Sequence, residues 1–247
     1  MKLTPLMSAQ DLASSNLQNH VAANPYPGRG LIIGKSASGE AWQQVYWIMG
    51  RSEHSRNRQF ALEGVTLRTE PVDVSKVEDP SLIIYEAMLE LNNKFLVSNG
   101  DQTRTLFEGL SAGRSMKDSL VSRDREPDAP NYTPRITGML ELGGDSPEIG
   151  LSILKANKID PAFSDRHYFF PQEPSAGIGY GLTTYMGDGN PLPSFNGDPL
   201  LLPLAATAEE TLDTYWNALD ADNKISVAVK TIALDGSSSS VVLRNKY

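Results

Sequence analysis

Apolar residues along this chain come mostly in short runs broken by glycine, asparagine and proline, a pattern that predicts strands more often than helices. Leu31-Ile32-Ile33-Gly34 and Val45–Met49 flank a Ser38-Gly39 turn and predict a hairpin. Phe60–Arg68 reads as a third strand. Leu82–Tyr85 and Phe95–Ser98, on either side of Asn92-Asn93-Lys94, predict a second hairpin. Further strands are expected at Arg135–Leu142, Ile149–Leu154, His167–Phe170, 177–185, Ile225–Leu234 and Val241–Arg244. Helical spacing is confined to four places. Residues 8–21 carry Ser8 as a cap and Leu12, Leu17 and Val21 toward one side. Asp101 is placed to cap a helix in which Leu106, Phe107 and Leu110 share a face. Ser115–Ser122 forms a short segment, and Thr207–Leu219 opens with a Thr207/Glu210 capping box. Asp73–Pro80 is a polar connection, Arg123–Pro134 is too proline-rich for regular structure, and Met186–Pro199 reads as a long loop and a candidate lid. With no repeat and no linker, the pattern describes one α+β domain over residues 1–247, with many antiparallel strands.

Composition narrows the function more than the fold. The 247 residues include no cysteine, which excludes disulfides, thiolate metal ligands and a cysteine nucleophile and suits the cytoplasm. No apolar run is long enough for a membrane span, and a pI near 4.9 argues against nucleic-acid binding. Against a net charge of -8, Arg29, Arg51, Arg56 and Arg58 gather where the first hairpin's strand ends meet. Arginine suits bidentate recognition of phosphate and carboxylate, so the cluster predicts an anion site. The plainer reading is surface pairing with Glu40 or Glu53.

Other candidates are weaker taken singly. Asn99-Gly100-Asp101-Gln102-Thr103 sits at a helix start, where backbone N–H groups favour an anion, or is a turn with its cap. Tyr85 offers a phenol to a ligand or fills the core. Glu126 and Asp128, near Asn131 and Arg135, read as a base with its orienting partner or as solvated loop charges. His20, His54 and His167 lack metal-ligand spacing, and GIGYG is not a dinucleotide fingerprint.

Three segments in order, YPGRGLIIG with GRSEHSRNR, then LIIYEAMLELNNKFLVSNGDQT, then EPDAPNYTPRI, resemble the archaeal-type IMP cyclohydrolase family, which has bacterial members. The resemblance covers Tyr26–Ile136 and leaves residues 1–23 as an N-terminal extension. It implies a four-layer αββα sandwich of antiparallel sheets, similar to N-terminal-nucleophile hydrolases. It also implies dehydrative closure of 5-formamidoimidazole-4-carboxamide ribotide to inosine monophosphate, without metal, folate or redox cofactor. It assigns Arg29, Arg51 and Arg58 to phosphate or ribose, and Asn99, Thr103 and Asn131 to substrate contacts. Glu126 and Arg135 are its candidates for proton transfer and charge stabilisation, and Tyr85 either donates a proton or contacts the base or ribose. The implied partner is a purine ribotide monophosphate, with no nucleic acid or membrane; homo-oligomerisation stays open. Two other readings stand beside it: a non-catalytic purine-nucleotide-binding protein, and an amide hydrolase of the same fold. Lys2 argues against the last, because removal of Met1 would expose no Ser, Thr or Cys.

Overall fold

A computed structural model of the chain describes residues 7–77 and 84–247. Thirteen strands among these residues make two antiparallel sheets. The first sheet holds β1 (Gly30–Lys35), β2 (Ala41–Met49), β10 (Ile178–Thr183), β11 (Leu200–Pro203), β12 (Lys224–Ala233) and β13 (Ser239–Asn245), in the order β11-β10-β1-β2-β12-β13. The second runs sequentially through β3 (Gln59–Glu63), β4 (Thr66–Glu70), β5 (Glu86–Leu91), β6 (Lys94–Ser98), β7 (Arg135–Glu141), β8 (Glu148–Ala156) and β9 (Ser164–Phe169). The sheets face each other, β1 against β7 and β2 against β6. Helices α1 (Ala9–Asn16) and α5 (Ala208–Ala218) cover the outer face of the first sheet. The single turn α2 (Glu53–Arg56) lies in the loop after β2, and helix α3 (Gln102–Ser111) covers the second sheet and packs on α4 (Met116–Leu120). The layer order is αββα.

Strand β2 shows why the apolar runs are continuous instead of alternating. Trp42, Tyr46 and Ile48 point into the core between the sheets, while Val45, Trp47 and Met49 point into the core beneath α5. Both faces are covered, so neither row is polar. A third cluster, with Leu96, Leu106, Leu120 and Met139, seals α3 and α4 onto the second sheet.

Several boundaries depart from expectation. The stretch read as a single strand from Phe60 is a hairpin, because Gly64 at φ +61° turns the chain between β3 and β4. The second hairpin begins later than expected: β5 starts at Glu86, Asn92 takes the left-handed turn conformation at φ 52°, and Leu82 and Ile83 lie outside the described residues. Ser8 does cap α1, but Leu12 is exposed and the chain continues as a π-helical turn, Leu17–Ala22, that buries Val21. Asp101 precedes α3 without capping it. Its carboxylate takes Arg123 and Arg135 instead, the latter at 2.7 Å. β11 is absent from the sequence-based expectation, since three leucines between two prolines carry little pattern. The Thr207/Glu210 capping box forms as expected.

Candidate active site

The Pro27-Gly28-Arg29-Gly30 segment is held by its backbone. Arg29 N–H donates to Thr184 Oγ1 at 3.1 Å, and Thr184 N–H returns a bond to the Arg29 carbonyl at 2.8 Å. Gly28 sits at φ +73° against Thr184 and Tyr185, where a Cβ would collide. A Cβ on Gly30 would fall inside the indole of Trp47, whose Nε1–H donates to the Gly28 carbonyl at 3.0 Å. Two glycines therefore let the chain lie flat between aromatic rings and present one side chain, Arg29, inward.

That side chain helps line a cavity of about 270 Å³ at the rim where β1 begins and β2 ends. Four segments meet there. Tyr26, Gly28 and Arg29 precede β1; Met49 ends β2, and Arg51, Ser52, Ser55 and Arg58 follow it. Asp128, Asn131 and Thr133 come from the irregular 123–134 stretch, and Tyr185 and Leu192 follow β10. The proline-rich stretch is shaped by its own bonds. Asp128 accepts from Thr133 N–H at 2.7 Å and from Thr133 Oγ1 at 2.5 Å, and Tyr185 OH lies 2.5 Å from the same hydroxyl. A carboxylate only accepts, so the proton order runs from Tyr185 through Thr133 to Asp128.

Buried beside the cavity, Arg29 Nη2 donates to Glu126 Oε2 at 3.2 Å. Burial opposes the charge on Arg29, but Glu126 and the phenol oxygens of Tyr85, Tyr185 and Tyr46 more than offset it, and the guanidinium stays protonated. Burial pushes the Glu126 carboxyl above its ordinary value, with Arg29 and then Arg135 restraining the rise. Tyr85 lies within the field of Arg29 and Arg58, and its hydroxyl is 2.6 Å from that of Tyr46. Two buried guanidiniums, Arg29 and Arg58, meet the buried carboxyl of Glu126, with phenol groups around them and the Asp128 carboxylate on the cavity wall. Such a cluster accommodates a further anionic oxygen.

A model of the IMP cyclohydrolase-like protein family matches residues 26–236. The chain belongs to that family. The IMP cyclohydrolase of Methanothrix thermoacetophila is 33% identical over 131 residues, covering 51% of this chain and 62% of that protein. The match thus spans less than two thirds of that relative's length.

Within this family member the nine residues singled out by sequence divide into groups. Arg29, Arg51, Arg58 and Asn131 line the cavity. Tyr85 and Glu126 are buried next to it, electrostatically linked to Arg29 and Arg58. Arg135 is turned toward Asp101 and Gln102 at the start of α3, at 2.7 and 2.8 Å. Asn99 spends its amide on Pro134, Gln102 and Ile136, and the Thr103 hydroxyl lies 2.8 Å from Ser98 Oγ and 2.9 Å from the Gly100 carbonyl. Neither lines the cavity. Arg56 leaves the cluster as well: its Nε donates to the Gly50 carbonyl at 3.1 Å. Arg51 pairs with Asp188 and with the Gly189 carbonyl, not with Glu40 or Glu53, and stacks over Tyr26 at 4.9 Å. The 186–199 loop therefore reaches the cavity mouth. It is anchored by Leu192 N–H on Asn131 Oδ1 and by Lys155 on the Phe195 carbonyl. Sequence reasoning missed Tyr26, Tyr46, Thr133 and Tyr185. Each reads as core or turn in its own segment, and only the pairing of β10 with β1 brings Tyr185 against Gly28, next to Arg29.

Proposed function

We propose that this protein is an IMP cyclohydrolase that closes 5-formamidoimidazole-4-carboxamide ribotide to inosine monophosphate with loss of water. What carries the reading is the convergence of Arg29, Arg51 and Arg58, from separate turns, on one cavity beside a buried carboxyl and two phenols, in a chain of this family. Arg51, half exposed at the mouth with Ser52 and Ser55 beside it, takes the 5′-phosphate. Asn131 contacts the ribose. Arg29, Arg58, Tyr85 and Glu126 face the reacting end. Asn99, Thr103 and Arg135 act one step back, holding the β6–α3 turn and the start of β7.

Holding the carboxamide against the formyl group removes most of the rotational cost of ring closure. The carboxamide nitrogen attacks the formyl carbon, and the C=O pair moves onto oxygen. Tyr85 gives that oxygen its proton while Arg29 and Arg58 balance the charge, and Glu126 takes a proton from the attacking nitrogen. Glu126 then returns this proton to the hydroxyl, the C–O bond breaks and water leaves. The formamide nitrogen loses its hydrogen to the Tyr85 oxygen, so both groups end as they began. The raised affinity of Glu126 for protons suits this double duty. A cytoplasmic location belongs to the same proposal; among the described residues no helix is long and apolar enough to cross a membrane.

Purified protein supplied with the formylated ribotide, without folate, is expected to produce inosine monophosphate, followed by ultraviolet absorbance. Absence of turnover across neutral pH would overturn the enzymatic reading. A rise in melting temperature with inosine monophosphate but no turnover would leave a nucleotide-binding protein.

A further inference from the structure

The reaction as proposed uses Tyr85 and leaves a second phenol beside it without a task. Tyr46, on β2, is fully buried between the sheets, its ring 5.4 Å from that of Phe60 and its hydroxyl 2.6 Å from that of Tyr85. A hydroxyl pair this close and dry shares one hydrogen bond, and only one of the two oxygens can be the donor in it. Tyr85 is faced by the guanidinium of Arg29 from before β1 and that of Arg58 from before β3, with Glu126 from the 123–134 stretch on the same side. Tyr46 is the harder to ionise: burial comes first, then the neighbouring Tyr85, with Arg29 and Arg58 pulling more weakly the other way. On Tyr85 burial also raises the value, but both arginines and the bond from Tyr46 lower it. Once Tyr85 has given up its proton, its oxygen can only accept, so the 2.6 Å bond between the two oxygens must then be donated by Tyr46.

We infer that Tyr46 is a positioning residue for the proposed cyclisation: by donating to the Tyr85 oxygen it turns the Tyr85 O–H toward the substrate and steadies the phenolate formed when that proton is given up. No proton leaves Tyr46 at any step. The Tyr85 O–H bond breaks, the proton passes to the oxygen of the ring-closed adduct, and the Tyr85 oxygen recovers a proton from the formamide nitrogen. This inference rests on the cyclohydrolase reading, and the experiment separates the two.

Tyr46→Phe keeps the ring against Phe60 and removes only the donor. A hydrogen bond to a charged oxygen sets the expected loss: kcat falls about 10- to 100-fold while KM stays within about twofold. The Cζ resonance of Tyr85, followed by carbon-13 tyrosine labelling at neutral pH, shifts as its donor disappears. Tyr85→Phe serves as the control and should lose at least as much kcat. If Tyr85→Phe is impaired but Tyr46→Phe keeps full kcat and an unmoved Tyr85 resonance, the role given to Tyr46 is wrong and the cyclohydrolase reading survives. If wild-type protein shows no turnover, the cyclohydrolase reading falls and this inference falls with it. Should Tyr46→Phe not fold, 3-fluorotyrosine at position 46 preserves shape and strengthens the donor. A changed kcat with constant KM supports the role, and an unchanged kcat overturns it.

Discussion

Arg51 and Arg58 carry the same charge into the same cavity and differ in what holds them. Arg58 is buried, and its Nε donates to the Ser55 carbonyl at 2.9 Å, so it ties down the loop after β2 as well as lining the cavity. Arg51 stands half exposed, paired with the 186–199 loop through Asp188 and Gly189 and stacked on Tyr26. An exposed pair of this kind adds little stability, because water screens both charges. On the proposed reading, a substrate phosphate competes with Asp188 for the Arg51 guanidinium. Arg51→Ala is therefore expected to weaken substrate binding by about 1.5–3 kcal/mol with little loss of stability. Arg58→Ala should weaken binding and lower the melting temperature together. Steady-state kinetics beside thermal unfolding of the two variants distinguishes them; equal losses of melting temperature would contradict the division.

At the scale of elements, the start of α3 shows a carboxylate diverted from capping to bridging. Asp101 draws Arg123, after α4, and Arg135, at the start of β7, toward one point. Burial raises the Asp101 carboxyl, but the bond from Arg123 and the charges of both arginines more than offset it, leaving the group below its ordinary value. A carboxylate depressed in the folded state adds stability above its unfolded pKa and loses that contribution as pH falls through the lower folded value. Because Asp101 is half exposed, the contribution is discounted to about 1 kcal/mol or less. Asp101→Asn should lower the urea midpoint at pH 7 and leave it unchanged near pH 2. The same turn shows what local pattern can and cannot reveal. Short-range rules found the Ser8 and Thr207 caps, the β1–β2 hairpin and α5, because each depends on residues within a few positions. They failed at Asp101, whose partners come from 22 and 34 positions away. They failed also at Gly64, which turns the chain inside an unbroken alternating run, and at Leu12, where the π-helical turn rotates the buried face. In the site, arginines were legible because a cation cluster is unusual on an acidic chain. Tyr46 was not, because a buried strand aromatic looks the same whether or not its hydroxyl has work to do.

Across the whole molecule, the two sheets do different jobs at the cavity. The first supplies Arg29, Arg51 and Tyr185 from its strand ends; the second contributes Arg58 before β3 and the 123–134 stretch leading into β7. The layers are joined by directed contacts as well as apolar packing, such as Gln44 Nε2 donating to the Phe95 carbonyl at 2.9 Å. The outermost helix is part of the same chain of contacts. Tyr215 of α5 stacks on Trp47 at 5.6 Å, and Trp47 holds the Gly28 carbonyl next to Arg29. An indole with its N–H committed to the cavity wall is a spectroscopic reporter already installed in the polypeptide. With Trp42 and Trp216 replaced by Phe, the remaining emission should change in intensity or wavelength as ribotide ligands fill the cavity beside Arg29, giving an occupancy signal without a dye.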